Sequence, residues 1–403
     1  MPSGPIALVL AASGLCMLLL AQLPGWQWLW RQLSPKGKWI LLLLVGSGHL
    51  PFFYWLLLYK PMPLAWSAEV WRTLWMWGFS VAVTGLVLTV GRFGGWLRKR
   101  RSPTVLQPER RRFLRITLLG GASLAISGQL LAMTQRRQGH VEFVELPIAG
   151  LPPQLDGLTL GVLSDIHSGP FMQRPQMERY RRELEELGCD LIVLPGDFII
   201  NRTWEIYPFA EAFADLRAPL GVFAITGNHD YFSGEVERIC REIEQAGIRL
   251  LRNEAVTLER GGAVLTLAGI DDFYARFLPE YVERGRNPDG VLSAWERLME
   301  RVPKPCIVLC HRPYYFEQLA LLGADAVIAG HTHGGQIVVA EIGSFALSPA
   351  ALVSPYVAGT YWSALRPKVW MYVTRGVGTV GIPVRWNAPP EITHIRLVAA
   401  ERG

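Results

Sequence analysis

The stretch Gly330-His331-Thr332-His333-Gly334-Gly335-Gln336 comes just after an apolar run, Ala326–Ile328, which predicts a buried β-strand. Residues two apart on an extended segment project to the same side, so His331 and His333 can both face one cation. Imidazole is the commonest metal-binding side chain in proteins. The stretch therefore predicts a strand that presents metal ligands at its carboxyl end.

Earlier strand-like runs end in side chains of the same chemical kind. Each run is short, apolar and rich in β-branched residues, and polar side chains follow it directly. The runs and their motifs are Leu158–Leu163 with Asp165-Ile166-His167, Leu191–Leu194 with Gly196-Asp197, Gly221–Ile225 with Gly227-Asn228-His229-Asp230, and Ile307–Leu309 with Cys310-His311-Arg312-Pro313. A further run of this kind is Val264–Ile270.

Helical patterns lie between several of these strands, at Gln176–Glu186, Gly234–Ala246 and Leu292–Glu300. Strands that alternate with helices predict an α/β sheet, and open α/β sheets place their sites at the carboxyl ends of strands. Five of the eight histidines fall at these strand ends. His49, His140 and His394 do not, and we assign them no role.

Taken in order, these motifs resemble the calcineurin-like metallophosphoesterase superfamily. The ending of the first stretch, with Arg375-Gly376-Val377-Gly378 and Pro390-Glu391-Ile392, resembles its bacterial membrane-linked, twin-arginine-type branch. The resemblance covers about 160–395. It implies a four-layer α/β/β/α sandwich with the site at the edge of the sheets.

The resemblance also implies seven metal ligands. They are Asp165, His167 and His333 for one ion, Asn228, His311 and His331 for the other, and Asp197 as the bridge between the two. A dinuclear centre of this kind would use a bridging hydroxide as its nucleophile. Mixed oxygen and nitrogen ligands favour Mn, Fe or Zn over Mg or Ca, and do not choose among the first three.

His229 follows the predicted ligand Asn228, and by the same resemblance it is the catalytic residue that stabilises or protonates the leaving oxygen. Asp230 has two interpretations: it orients the His229 ring, or it caps a helix predicted at 231–246. Arg312 also has two interpretations: it contacts phosphate, or it is a solvated surface residue. The sequence leaves both pairs open.

Charge is divided unevenly along the chain. Residues 1–140 hold 16 of the 40 Lys and Arg and 2 of the 34 Asp and Glu, a net of +14. The remaining residues hold 24 Lys and Arg and 32 Asp and Glu, a net of −8. The net charges of the two parts sum to +6. An acidic catalytic region disfavours a nuclease, because basic surface supplies most nucleic-acid affinity. We expect a transmembrane anchor at 1–140 and a phosphoesterase domain at 141–403.

Four apolar stretches in the first region each approach the ~20 residues of a membrane-spanning helix. They are Ile6–Leu23, Trp39–Tyr59, Trp75–Trp96 and Ile116–Met133. Nine Lys and Arg lie from Arg92, near the end of the third stretch, to Arg115, just before the fourth, and such clusters stay in the cytoplasm. A multi-pass protein of the plasma (inner) membrane, with its catalytic domain on the extracytoplasmic face, is the predicted topology. If the fourth stretch lies along the interface instead, the domain stays cytoplasmic.

The segment Arg110-Arg111-Arg112-Phe113-Leu114-Arg115 resembles a twin-arginine export signal, and a basic stop before a membrane helix explains it equally well. The five cysteines include no C-x-x-C pair, so they indicate neither a disulfide framework nor a zinc ribbon. Core packing is the expected role of Cys306 and Cys310.

These patterns predict a metal-dependent hydrolase of phosphate esters, a phosphodiesterase or phosphatase that acts at the membrane surface, with lipids among its candidate substrates. Two alternatives stay open: a lipid-linked pyrophosphatase, and a metal-binding sensor domain without turnover. The ligands do not separate monoesters, diesters and pyrophosphates, because metals bind the phosphoryl group common to all three.

Overall fold

The computed structural model describes residues 21–31, 33–58, 139–272, 288–342, 345–381 and 383–400, with a few positions between 81 and 93. The chain divides into two compact units, Met1–Thr134 and Gln135–Gly403. In the first unit, residues 21–30 are helical and helix α1 spans Pro35–Leu58.

The predicted transmembrane region is not supported by the structure. No helix among the described residues is both long and apolar enough to cross a membrane. The predicted span Trp39–Tyr59 falls on α1. The other three, Ile6–Leu23, Trp75–Trp96 and Ile116–Met133, lie wholly or largely outside the described residues.

The second unit is built of strands and helices in mixed order. Its strands are β1 His140–Ala149, β2 Thr159–Val162, β3 Leu191–Leu194, β4 Val222–Ala224, β5 Arg249–Leu250, β6 Glu254–Arg260, β7 Ala263–Gly269, β8 Cys306–Leu309, β9 Ala326–Ala329, β10 Ala340–Ile342, β11 Phe345–Leu347, β12 Gly359–Trp362, β13 Trp370–Val373 and β14 Glu391–Ala400. Its helices are α2 Arg174–Glu186, α3 Ile206–Phe213, α4 Asn228–Phe232, α5 Val236–Gln245, α6 Pro288–Met299 and α7 Phe316–Leu321.

Two six-stranded sheets form the centre of this unit. The first has the strand order β1-β14-β2-β3-β4-β5, and the second β12-β13-β9-β8-β7-β6. Strands β2 to β5 pair in parallel, as do β7, β8, β9 and β13. Sequences such as Leu191–Leu194 are apolar throughout and buried on both faces, which is typical of parallel strands covered on both sides.

Three apolar clusters show how these layers pack. One joins the first sheet to α2, α3 and α5 and includes Leu194, Tyr180 and Phe209. A second fills the space between the two sheets. A third joins the second sheet to α6 and α7 through Trp295 and Phe316. The α/β prediction is thereby confirmed.

Helix α2 illustrates how sequence determines these outer layers. The Gln173 backbone N–H donates to the Gln176 side chain at 2.9 Å, which satisfies an amide at the helix start. Met177, Tyr180 and Leu184 recur at helical spacing and are buried against the sheet. Arg and Glu side chains four apart pair on the opposite, solvated face.

Candidate metal centre

The structure brings all eight predicted site residues to one edge of the two sheets. The loops after β2, β3 and β4 supply them from the first sheet, and those after β8 and β9 from the second. Hydrogen bonds join the two sets: the His331 N–H donates to both Asp165 carboxylate oxygens, at 3.0 and 3.1 Å. His311 Nδ1 lies 2.7 Å from the Pro195 carbonyl oxygen.

Asp165, His167 and His333 form one buried group whose ligand atoms all lie within 4.8 Å of one another. The two ring nitrogens His167 Nε2 and His333 Nε2 are 3.1 Å apart. Asp165 Oδ1 is 3.4 Å from His333 Nε2. The Ile199 carbonyl oxygen contacts His167 Nδ1 at 3.1 Å, which directs Nε2 of that ring inward.

Asp197, His311 and His331 form a second group, and Asp197 lies between the two. Its Oδ2 atom is 3.2 Å from His311 Nε2 and 3.6 Å from His167 Nε2. One carboxylate oxygen can therefore contact cations bound in either group.

The donor atoms themselves indicate a cation. Within the described residues, the buried atom Asn228 Oδ1 has no hydrogen-bond partner, and the buried His311 Nε2 faces the Asp197 carboxylate oxygen at 3.2 Å. Buried polar atoms without partners cost free energy and are rare in native proteins. Both belong to the predicted ligand set, so the residues present fit a metal ion that binds them.

Backbone strain is concentrated in these loops. Asp165, His167, Asp197, His331 and His333 all have φ between 50° and 74°, in the left-handed region. Such conformations cost about 1–3 kcal/mol each for residues other than glycine and persist where the surroundings impose them. Here the His167 N–H donates to the Asp197 carbonyl oxygen at 3.1 Å, so the strained loops support one another.

The glycine in each of two motifs has a steric reason. A Cβ atom on Gly227 would overlap the Asp197 carboxylate, and one on Gly330 would overlap that of Asp165. Only glycine lets the backbone before Asn228 and before His331 approach these carboxylates so closely.

Comparison with known proteins points to the same kind of domain. A family model for calcineurin-like phosphoesterases matches residues 158–335. An uncharacterised metallophosphoesterase of Aquifex aeolicus is 30% identical over 239 residues, which cover 58% of this chain and 82% of that protein.

The chain belongs to the calcineurin-like phosphoesterases.

Two further relatives of this phosphoesterase differ in length. YkuE of Bacillus subtilis, an uncharacterised metallophosphoesterase, is 30% identical over 61% of this chain and 81% of its own. A Danio rerio protein described as a transmembrane protein with metallophosphoesterase domain is 33% identical over 71% of this chain. That match spans 62% of the Danio rerio protein, less than two thirds of its length. The predicted superfamily and enzyme class are confirmed: the chain carries the domain of a metal-dependent family of phosphoester hydrolases.

Burial keeps most of the site imidazoles neutral. It lowers the pKa of His167 to about 3, and it lowers the pKa of His331 and of His333 well below the usual value. Neutral imidazole is the form that binds metals. Burial opposes protonation of His311 as well, but the adjacent Asp197 carboxylate outweighs it and raises the pKa of His311 to about 10. A divalent cation would replace that proton beside Asp197.

The structure decides the open question about Asp230. Its buried carboxylate accepts hydrogen bonds from the backbone N–H groups of Gly227 at 2.8 Å, Phe198 at 2.9 Å and Asp197 at 3.2 Å. The His229 ring is held instead through Nδ1 by the Ile200 carbonyl oxygen. Asp230 thus fixes the loop of the bridging carboxylate and the start of α4, which begins at Asn228, and the ring-orienting interpretation is wrong.

Arg312 is not a solvated surface residue. Its Nε lies 2.7 Å from the buried Asp272 carboxylate, and it also contacts the Tyr314 hydroxyl. Asp272 raises the pKa of Arg312 despite its burial. The free cysteines Cys306 and Cys310 are buried, as expected.

Sequence reasoning missed one residue that contacts the centre. Arg385 is completely buried, and its guanidinium lies beside His333. Arginine is rarely buried, and no motif marks this position, so no sequence signal could have singled it out.

Proposed function

We propose that this chain hydrolyses phosphate esters with two divalent metal ions. Site A would use Asp165, His167 and His333, site B would use Asn228, His311 and His331, and Asp197 would serve both. The single observation that supports this arrangement best is the position of Asp197 Oδ2, at 3.2 and 3.6 Å from imidazoles of the two sites. The mixed donor set suits Mn, Fe or Zn.

Two such ions would acidify a water molecule between them and neutralise charge on the phosphoryl oxygens. The chain's own residues would position the substrate and protonate the leaving oxygen. Because the Ile200 carbonyl oxygen engages His229 Nδ1, the Nε2 atom of that ring is free to face the substrate. We assign His229 the role of general acid for the leaving oxygen. Its ring also belongs to a group with His167 and Asp197, which keeps it at the centre.

Action at a membrane surface is the second part of the proposal. Between Asp325 and Arg366 the sequence has a single charged residue, Glu341. Within this segment Leu352, Val353 and Val339 are 88%, 70% and 68% exposed, and Leu347 is also exposed. We call these four residues the apolar rim. Contiguous exposed apolar side chains mark lipid or protein contacts.

The apolar rim belongs to a segment that packs against the loop of site A and site B ligands. The Thr332 hydroxyl donates to the Val357 carbonyl oxygen at 2.6 Å. A Cβ atom on Gly335 would overlap Ser348, next to Leu347. A lipid held at the rim would therefore lie close to the metal centre.

The N-terminal apolar stretches and the description of the Danio rerio relative as a transmembrane protein also support membrane association. We propose residues 1–140 as the anchor and 141–403 as the phosphoesterase domain. The nine cations from Arg92 to Arg115 favour an extracytoplasmic catalytic domain in the plasma membrane.

The test is a hydrolysis screen of the detergent-purified full-length protein with Mn²⁺. Its substrates are a soluble aryl phosphodiester, an aryl phosphomonoester, a phospholipid in vesicles and a lipid-linked pyrophosphate. We expect turnover of at least one ester, and no turnover of any substrate would contradict the enzymatic proposal. Cleavage of the pyrophosphate alone would favour the pyrophosphatase alternative.

Leu352→Asp tests the membrane part. Lipid hydrolysis should fall about tenfold or more, since a buried leucine side chain is worth about 1.5–3 kcal/mol, while soluble-ester hydrolysis is unchanged. Leu321→Asp is the matched control, because Leu321 is also an exposed leucine, at 58%. It lies at the end of α7, before β9 begins, whereas the metal ligands follow the end of β9. Equal losses on both substrates, or equal losses in the control, would contradict the lipid proposal.

A further inference from the structure

Arg385 lies between β13 and β14 with its side chain completely buried. Its Nε donates to the Gly378 carbonyl oxygen at 2.9 Å, and its Nη2 to the same oxygen at 2.7 Å. Other N–H groups of the same guanidinium donate to the carbonyl oxygens of Arg375 at 2.8 Å, Ala388 at 3.0 Å and His333 at 3.2 Å. The guanidinium thus joins several loops at one point.

This buried cation has an unusual set of partners. Among the described residues, no carboxylate forms an ion pair or a hydrogen bond with Arg385, and carbonyl oxygens satisfy it instead. Burial lowers its pKa to about 10, which leaves it protonated at neutral pH. An unpaired buried charge costs several kcal/mol, so the hydrogen bonds it makes must compensate.

The hydrogen bonds of Arg385 connect it to two ligands of site A. Gly378 accepts from Arg385 through its oxygen and donates through its N–H to the Asp165 carbonyl oxygen at 2.7 Å. The second ligand is His333, whose backbone carbonyl oxygen accepts from Arg385 Nη1 at 3.2 Å. In the described part of the chain, none of its hydrogen bonds goes to the site B ligands Asn228, His311 or His331.

We propose that Arg385 is a positioning residue for the metal ion of site A, which holds the Asp165 and His333 loops at their required separation. The inference rests on the two-metal function proposed above. Partners that orient metal ligands are typically worth 10- to 100-fold in metal affinity. Arg385 should therefore matter for one of the two ions and not for the other.

The experiment measures bound Mn²⁺ per chain and the two dissociation constants of the full-length protein, with the electron paramagnetic resonance spectrum as a second readout. The parent should bind two ions that give a spin-coupled spectrum. Arg385→Met should weaken one site 10- to 100-fold and give the spectrum of a single uncoupled ion, with the other site unchanged. Arg385→Lys keeps the charge but reaches fewer carbonyl oxygens, so we expect a smaller loss at the same site.

Arg375→Met is the matched control. The Arg375 side chain pairs with the buried Glu391, so its loss removes an arginine from the same region while the hydrogen bonds of Arg385 stay in place. This control should keep both ions. If Arg385→Met fails to fold, Arg385→Lys decides the question. Parent-like affinity at both sites, or equal weakening of both, overturns the proposal. A parent that binds fewer than two ions instead contradicts the proposed function.

Discussion

Asp230→Asn tests how the loop of the bridging carboxylate is held. In the parent, one carboxylate oxygen accepts from the Phe198 and Ile199 N–H groups and the other from those of Gly227 and Asp197. An asparagine keeps one acceptor and turns an NH₂ group toward the other donors. Two buried backbone N–H donors are then left without an acceptor, at about 1–3 kcal/mol each. We expect local stability to fall by about 2–6 kcal/mol.

Hydrogen exchange of peptides that contain residues 196–200 and 226–228 measures this loss directly, since it reports local opening. Every 1.4 kcal/mol is a factor of ten, so exchange there should be about 30- to 10⁴-fold faster in the variant. Asp215→Asn, the same substitution at an exposed aspartate, should leave these peptides unchanged. Exchange within tenfold of the parent in folded Asp230→Asn would refute the reasoning.

Three further predictions follow from the site and its surroundings. His229→Ala should lower turnover about 10²- to 10⁴-fold for substrates with basic leaving groups and much less for activated aryl esters, with metal content retained; equal losses would remove its role as an acid. Burial raises the pKa of Glu205 from 4.5 to about 7, so its contribution to stability is complete below pH 4.5 and is lost as the pH rises through 7. Exchange of residues 200–205, corrected for intrinsic rates, should show this fall in the parent and not in Glu205→Gln, and identical profiles would contradict it. Phosphatase and fluorescent-protein reporters fused after Gly403 should give phosphatase activity without fluorescence, and the reverse would refute the extracytoplasmic topology.

The strands nearest the site were predictable from sequence. Leu191–Leu194 is a strand with the predicted bounds, and the other predicted runs of this kind differ by one or two residues at their ends. Their apolar, β-branched character follows from burial on both faces, which a short window of sequence reveals. Strands β1 and β14 were not predicted, because their parallel pairing joins positions about 250 residues apart, such as His140 and Glu391.

The predicted site residues do converge, but two features of the site had no sequence signal. Five of the seven predicted ligands adopt left-handed backbone conformations, which Asp and His residues adopt only where neighbouring loops impose them. The contacts of Asp230 and Arg385 depend on backbone groups from distant loops, and those exist only after folding. The motifs therefore predicted the ligand residues, but they did not predict the groups that hold those ligands in place.

The measurement that tests the two-metal proposal most directly is the metal content and hydrolytic rate of the parent and of Asp197→Ala, determined on the same preparations. We expect two divalent ions per parent chain, and metal binding and hydrolysis should be lost together when the shared ligand is removed. An Asp197→Ala protein that retains two ions per chain, or that hydrolyses the parent's substrate at the parent's rate, would contradict it.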